Sequence, residues 1–337
     1  MNNKTKAIAL LSGGLDSILA IKVLMDQGID VIGVYFTLPF CGPDKKGNSL
    51  IKEIAEKLGI ECRFEQMGED YLEIVKHPKY GHGTGMNPCI DCKIFMLRRA
   101  KEIMESECAS LVATGEVLNQ RPMSQHRIAL NIIEKDSGLR GKLLRPLSAT
   151  FLSETDAEKE GLVDRKKMLS INGRSRKEQL YIAKNMRIET FIPAAGGCIL
   201  TDKIFSKKLK DILEHNEDVT LDEILILSKG RHFRYGENKI IVGRNEKENG
   251  YLRRMKKAED YIFELPEEIP GPTTVLQGPK NAAAVELAAA LTLRYSDLKQ
   301  ETATVMYGAN EPDIPISINI SATDKADYYN ISSGDKG

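Results

Sequence analysis

The sequence predicts an α/β fold: a parallel sheet with helices on both faces, followed by a smaller α+β domain. Three observations predict it. Short apolar runs alternate with amphipathic helices through the first half, the spacing that crossover connections require. A glycine-rich turn separates the first apolar run from the first helix. Past residue 220 the pattern changes to paired short β runs around a turn, the signal of a hairpin.

The elements follow in order. Ala7–Leu11 is apolar throughout, as a strand buried on both faces must be. Asp16–Gln27 carries Ile18, Leu19, Ile21, Val23 and Leu24 at helical spacing, and Gly28 suits its C-terminal cap. Val31–Phe36 is the next strand, Leu50–Leu58 a helix closed by Gly59, and Ile60–Glu65 a third strand. A helix over Cys92–Ser106 leads to a strand at Leu111–Thr114. The stretch Asp164–Arg187 then turns basic, with eight Lys or Arg against Asp164 and Glu178. Helices are predicted at Ser175–Met186 and Lys203–His215, with a linker at Asn216–Thr220. Residues 1–215 therefore form the first domain and 221–330 the second. In the second, Arg231–Tyr235 and Lys239–Gly243 pair around Gly236–Asn238. A basic helix (Lys247–Ala258), a strand (Tyr261–Leu265), an Ala-rich helix (Asn281–Tyr295) and a strand (Thr302–Tyr307) follow, and the tail from Glu311 is acidic and polar.

Composition excludes several classes. Among 337 residues, 48 Lys and Arg balance 48 Asp and Glu, so nucleic acid cannot be gripped by bulk basicity and needs a local patch. No apolar run is long enough to span a membrane, and Ala7–Leu11 is too short for a signal peptide. A cytoplasmic protein is expected, with its six Cys as thiols or metal ligands rather than disulfides. A homodimer is compatible with the sequence.

The sharpest chemical signal is Ser12-Gly13-Gly14-Leu15-Asp16-Ser17, between the first strand and the first helix. Paired glycines let backbone approach a phosphate, and a helix N-terminus offers N–H groups and a positive dipole. Ser12 and Ser17 add hydroxyls. Asp16 is a poor phosphate neighbour alone and makes sense as a ligand to Mg²⁺. The Gly-Lys-Ser/Thr ending of a Walker loop is absent.

Cys89 and Cys92 lie three apart in Pro-Cys-Ile-Asp-Cys, and Cys198 follows Ala195-Gly196-Gly197. Three thiolates suit a 4Fe–4S cluster with one open iron, or zinc completed by His77 or His82. A redox pair and plain buried thiols remain open as well.

The loop after an apolar strand resembles the pyrophosphate-loop ATPases, which include RNA thiolation enzymes, GMP synthetase, NAD synthetase and argininosuccinate synthetase. The resemblance implies a five-stranded parallel sheet binding ATP at its carboxyl ends, cleavage of ATP to AMP and pyrophosphate, and adenylation of a substrate. It implies that Val34-Tyr35-Phe36 passes near the adenine. Asn87-Pro88-Cys89 with Cys92 resembles the thiolation enzymes. Ala113-Thr114-Gly115-Glu116 with Gln120 and Ser124-Gln125 resembles the tRNA 4-thiouridine synthetase domain, and Arg145-Pro146-Leu147 resembles that family's later Arg-Pro-Leu strand. On this resemblance the ATP site holds Ser12, Gly13, Gly14, Asp16, Ser17, Tyr35 and Gly115. Cys89, Cys92 and Cys198 together bind a 4Fe–4S cluster, as in the cluster-bearing thiolases. Asp16 and the three Cys are then the catalytic residues. Cys62 and Cys108 are expected to be structural, and Cys41, after the second strand and at the border of the ATP site, is not assigned to it. The THUMP domain of 4-thiouridine synthetases would precede the loop, and Ser12 lies near the first residue. No rhodanese-like extension is expected either. Sulfide is then the consistent sulfur donor, and a Cys persulfide the alternative.

Gly230–Arg234, Ile240–Asn245 and Asn281–Ser296 resemble the NFACT-R RNA-binding module. Arg231, Arg234, Arg244, Arg253 and Arg254 are its expected RNA contacts, with Phe233 and Tyr235 as stacking platforms. His232 is a further candidate at that interface, and Arg165–Lys167 and Arg174–Lys177 form a second candidate contact; His126 and His215 read as surface residues. The expected function is ATP-dependent thiolation of a tRNA uridine. Two rivals are a sulfurtransferase or ligase for a small molecule, active without RNA, and a non-catalytic RNA-binding translation factor with ATP as a switch.

Overall fold

The computed structural model describes residues 5–39, 45–193, 198–298, 300–323 and 326–332. Cys41 and the glycines at 196 and 197 lie outside them. The chain divides into two units, Met1–Cys198 and Ile199–Gly337.

Unit 1 is a five-stranded, all-parallel sheet. Its strands are β1 (Lys6–Leu10), β2 (Asp30–Thr37), β3 (Glu61–Gln66), β4 (Leu111–Ala113) and β5 (Leu143–Leu144), in the order β3-β2-β1-β4-β5. The register runs Ala7 against Val31 on one side and Ala7 against Leu111 on the other. Helices α1 (Leu15–Met25), α2 (Lys45–Leu58), α3 (Glu69–Lys76), α4 (Cys89–Ser106), α5 (Arg127–Asp136), α6 (Asp156–Lys159) and α7 (Lys177–Asn185) complete the unit. Alternation along β1 feeds two cores. Ala7 and Ala9 pack with Ile18, Ile21, Leu24 and Ile54 of α1 and α2, while Ile8 packs with Leu97, Ile103 and Ile133 of α4 and α5. Burial on both faces is why β1 reads as a continuous apolar run.

The strand order places the site. The chain leaves β1 toward β2 and β3, then returns to add β4 and β5 on the other edge. The loops after β1 and β4 therefore diverge over a crevice at the carboxyl ends of adjacent strands, where open α/β sheets bind ligands. Two local expectations are corrected. The Arg145-Pro146-Leu147 stretch is not itself a strand; β5 is Leu143–Leu144, just before it. Helix α4 starts at Cys89 rather than Cys92, so both thiols sit on its first turn.

Unit 2 is a six-stranded antiparallel sheet. Helices α8 (Lys203–His215) and α9 (Leu221–Leu225) precede β6 (Arg231–Tyr235) and β7 (Asn238–Val242). Then come α10 (Glu246–Met255), β8 (Tyr261–Glu264), β9 (Thr274–Gln277), α11 (Ala282–Arg294), β10 (Thr302–Gly308), β11 (Ile314–Asn319) and α12 (Ala326–Tyr329). The sheet order is β11-β10-β8-β9-β7-β6. Ile240 and Val242 face α11, and Ile241 faces Leu252 of α10, so β7 is covered on both sides. The acidic tail is not all irregular: β11 pairs with β10 from Thr302–Asn319 to Tyr307–Ile314. The division between units falls before α8, not in the Asn216–Thr220 stretch. The reason is that α8 is bound into unit 2. Asp211 pairs with Arg234, and the buried Lys208 amine donates to the Leu227 and Gly230 carbonyls at 3.1 and 3.2 Å.

Candidate active site

The glycine loop is built as the residues dictate. Gly13 has φ +73°, and a Cβ there would meet Ile192 Cδ1 and Ile51 Cδ1 at 2.6 Å, so both conformation and space demand glycine. Gly14 is the extended N-cap of α1 (φ −74°, ψ 152°). The Ser12 N–H donates to Ser17 Oγ at 3.2 Å, and the Ser17 hydroxyl donates to the Gly14 carbonyl at 2.8 Å. Ser17 is buried and braces the loop, while Ser12 is exposed.

Gly115, just past β4, meets the loop from across the crevice. A Cβ on it would lie 2.5 Å from the Asp16 carbonyl and the Ser17 nitrogen. Only a glycine lets these two backbones touch. From the same segment Gln120 Nε2 donates to Asp16 Oδ2 at 2.8 Å, and Arg176 at the start of α7 pairs with the same oxygen at 3.3 Å. Fully buried Gln179 donates to Gln120 Oε1 at 3.2 Å. Asp16 Oδ1 is buried with no hydrogen-bond partner. A buried anionic oxygen in that state fits a cation such as Mg²⁺.

Next to Gly115, Glu116 is fully buried and takes Arg145 Nε at 3.0 Å and the Thr114 hydroxyl at 3.2 Å. Burial pushes its carboxyl up, but Lys93 and Arg145 outweigh that and hold it below the usual carboxylate range. Arg145 also pairs with Glu134 at 3.2 Å. This ion network ties β4, β5, α4 and α5 together behind the crevice. The Tyr35 side chain packs edge-on against Phe64 at 5.8 Å. Phe36 lines a cleft at the ends of β2 and β3, with Gln66, Met67, Phe95 and Arg99.

The cysteine pair projects from the first turn of α4, where residues three apart share a face. Asn87 Nδ2 donates to Cys89 Sγ at 3.0 Å. Between the thiols, buried Asp91 accepts the Lys79 and Tyr80 N–H groups at 3.1 and 3.0 Å and pins the preceding loop. Burial raises both thiols above their ordinary range. Tyr71 of α3, fully buried, lies close enough to Cys92, Cys89 and Cys198 for all three to act on it electrostatically. The three thiols thus share one neighbour. Among the described residues no three His, Cys, Asp or Glu side chains are set to hold a single metal ion. The His82 ring, a candidate fourth ligand for zinc, is bonded through Nε2 to the Val75 carbonyl at 2.8 Å. The donor set fits a 4Fe–4S cluster in kind, because soft thiolates suit iron and each would bind a different iron of a larger group. Cys62, raised to about 11 by burial, and exposed Cys108 stand outside this neighbourhood. No described cysteine forms a disulfide.

In unit 2 most of the expected RNA contacts are engaged within the fold. Arg234 makes two bonds to Asp211 at 2.9 and 2.6 Å, Arg244 pairs with Glu248 at 2.6 Å, and Arg253 pairs with Glu264 at 2.6 Å. Arg231 lies over the Tyr295 ring at 4.3 Å, and Arg254 is exposed. Phe233 is buried, and so is His232, whose Nε2 meets the Lys229 carbonyl at 2.6 Å. Neither can meet RNA. Arg165 turns inward to Glu158 and the Leu152 carbonyl, and His126 caps α5 by accepting from the Ala129 N–H.

Residues 2–156 match the family model of the thiamine biosynthesis protein ThiI. Unit 1 carries a ThiI-like PP-loop domain. Residues 230–329 match the model of the NFACT protein RNA binding domain, so the chain joins a ThiI-like domain to an NFACT-R-like one. A probable tRNA sulfurtransferase of Methanosarcina mazei is 32% identical over 126 residues, 36% of this chain and 30% of that protein. A tRNA-specific 2-thiouridylase, MnmA 3, of Phocaeicola vulgatus is 32% identical over 130 residues, 34% of each chain. The chain thus spans about a third of the length of these curated relatives. The U34-tRNA thiolase NcsA of Methanococcus maripaludis, with its [4Fe-4S] cluster, superposes at TM-score 0.36 and 20% identity, covering 66% of this chain and 71% of that one. No helix among the described residues is long and apolar enough to cross a membrane.

The sequence reasoning missed Arg176, Gln179 and Tyr71. Arg176 stood in a basic run that resembled an RNA contact, and nothing local marks a basic residue as the partner of an acid 160 positions away. Tyr71 sits in an ordinary amphipathic helix. Only the meeting of α3 with α4 and the end of unit 1 gives it meaning.

Proposed function

We propose that the protein is an ATP-dependent tRNA sulfurtransferase that replaces a uridine carbonyl oxygen with sulfur. Asp16 carries the reading: one oxygen is held by Gln120 and Arg176 and the other is buried and unpaired, beside a glycine loop at the sheet's switch point. The loop from Ser12 to Ser17 binds the phosphates, and Asp16 would hold a Mg²⁺ ion that offsets their charge. The nucleobase oxygen attacks the α-phosphorus, the bond to the β-phosphate breaks, and pyrophosphate leaves. Sulfur then attacks the activated carbon and AMP leaves with the original oxygen. Cys89, Cys92 and Cys198 position that sulfur, which enters as sulfide. A 4Fe–4S cluster bound by them would offer an open iron to hold sulfide and lower its pKa. Buried Tyr71 shapes the electrostatic surroundings of Cys92, and the Glu116–Arg145 pair keeps the floor of the crevice rigid. The cleft beside Phe36, at the same sheet edge, is the place for adenine. Unit 2 contributes RNA affinity through its exposed basic residues, Arg254 among them. The protein works as a soluble cytoplasmic enzyme.

The test is a reaction of anaerobically purified full-length protein with ATP, Mg²⁺, unmodified tRNA and sulfide. AMP, pyrophosphate and thionucleosides are measured together. Thionucleoside formation dependent on ATP supports the reading. AMP release with a small acceptor and no RNA would move the activity to a small-molecule substrate.

A further inference from the structure

We infer that unit 1 carries its own RNA-docking edge: the segment Asn119–Ile128, with Arg174 and Lys177 beside it, receives a single-stranded stretch of RNA and guides one base into the space between Asp16 and Cys89. This rests on the RNA-thiolation reading above.

The segment physically joins the two halves of the chemistry. Gln120 touches Asp16 at 2.8 Å. Three residues on, Met123 packs against Gly83, where a Cβ would lie 3.0 Å from the methionine methyl. The Gly83 N–H donates to the Asn87 carbonyl at 2.9 Å, and Asn87 in turn donates to Cys89 Sγ. One short segment therefore runs from the phosphate loop to the cysteine pair. A second strand of chain is fastened alongside it. The Gly173 N–H donates to the Leu118 carbonyl at 2.8 Å, and Asn119 Nδ2 donates to Asn172 Oδ1 at 3.0 Å, which brings Arg174 next to this edge.

The surface has the composition that single-stranded RNA selects. Arg121, Arg174 and Lys177 are exposed, and among the described residues none has a carboxylate within ion-pair distance. Three of the five arginines expected to bind RNA in unit 2 are, by contrast, neutralised by Asp211, Glu248 and Glu264. Met123 and Ile128 are 43% and 68% exposed, and Arg127 holds Phe151, 39% exposed, through its carbonyl at 2.9 Å. Free cations interleaved with exposed apolar side chains suit phosphates and splayed bases together. A duplex would offer no base faces to Met123 and Ile128.

The test uses the full chain and unmodified tRNA, with affinity read by fluorescence anisotropy across a salt series. A triple variant, Arg121→Ala with Arg174→Ala and Lys177→Ala, should bind tRNA at least about tenfold more weakly. Its slope of log affinity against log salt should fall by about two to three, close to one per lost phosphate contact. ATP binding should be unchanged, which shows the unit is folded. A second variant, Met123→Ser with Ile128→Ser, should weaken tRNA without altering the salt slope. Wild-type tRNA affinity in both variants would overturn the docking edge and leave the thiolation reading standing. A wild-type chain that bound no tRNA even at low salt would overturn both.

Discussion

Gln120 and Asp16 lie 104 residues apart and meet at 2.8 Å, the amide of one donating to Oδ2 of the other. Gln179 extends the chain by donating to Gln120, and Arg176 adds a charge to the same carboxylate oxygen. The effect is to fix the rotamer of Asp16, so that Oδ1 alone is presented unpaired. An acid held that way is pre-organised for a cation, and the arrangement costs nothing at the moment a ligand arrives.

Replacing that carboxylate should therefore damage chemistry more than folding. Asp16→Asn is expected to lower pyrophosphate release by about 100-fold or more, the scale for losing a metal or charge contact in a transition state. The thermal midpoint should stay near wild type. The check is pyrophosphate release alongside a melting curve, and a near-normal rate would remove Asp16 from the chemistry.

Gly115 tests the close approach of two backbones. With Asp16 and Ser17 backbone atoms 2.5 Å from its Cβ position, Gly115→Ala must push the phosphate loop away from β4. A loss of about 1–3 kcal/mol in stability is expected, the usual cost of overpacking. Nucleotide binding should fall with it. Titration of ATP by calorimetry and denaturant melts of the same variant decide this.

The buried Glu116–Arg145 pair should be costly to break from one side. Arg145→Met leaves the Glu116 carboxylate with Lys93 at 3.9 Å as its nearest cation. Destabilisation of about 3–5 kcal/mol is expected, typical of a buried charge stripped of its partner. A double variant, Arg145→Met with Glu116→Gln, should recover part of that loss in urea melts.

The cysteines are tested by metal content. Anaerobically prepared wild-type protein should carry iron and acid-labile sulfide, and Cys198→Ala should lose both while keeping ATP binding. Tyr71→Phe removes the buried hydroxyl within electrostatic reach of the three thiols and should shift the visible spectrum without emptying the site. Full iron in Cys198→Ala would take Cys198 out of the ligand set.

Unit 2 should show a pH dependence of its own. Lys239 is buried, its amine has no hydrogen-bond partner, and burial, eased by Asp211, brings it down to about 7. An unfolded lysine keeps its proton to about 10.4. Between those values the unfolded chain binds the extra proton, so stability rises with pH, by at most about 1.4 kcal/mol per unit. Below about 7 the full penalty of a buried ammonium is present. Lys239→Met should stabilise the protein most at neutral and acid pH and flatten the rise above 7. Melts of both proteins from pH 6 to 10 would show it, and parallel curves would count against the assignment.

What the chain states locally, it states clearly. The apolar runs at β1 and β2, the helix from Leu15, and the glycine loop between them depend on residues within a few positions of each other, and the structure builds them where the pattern puts them. The spacing of Cys89 and Cys92 likewise needs only one turn of helix. Tertiary structure decided the rest, because long-range pairing leaves no periodic trace. Local pattern could not tell that Arg234, Arg244 and Arg253 are held by acids, that Phe233 and His232 are core, or that α8 belongs with unit 2. A basic or aromatic residue reads the same in sequence whether it faces solvent or a carboxylate. Only the fold, by choosing which faces to bury, brought Gln120 and Arg176 to Asp16 and set Tyr71 within electrostatic reach of Cys89, Cys92 and the distant Cys198.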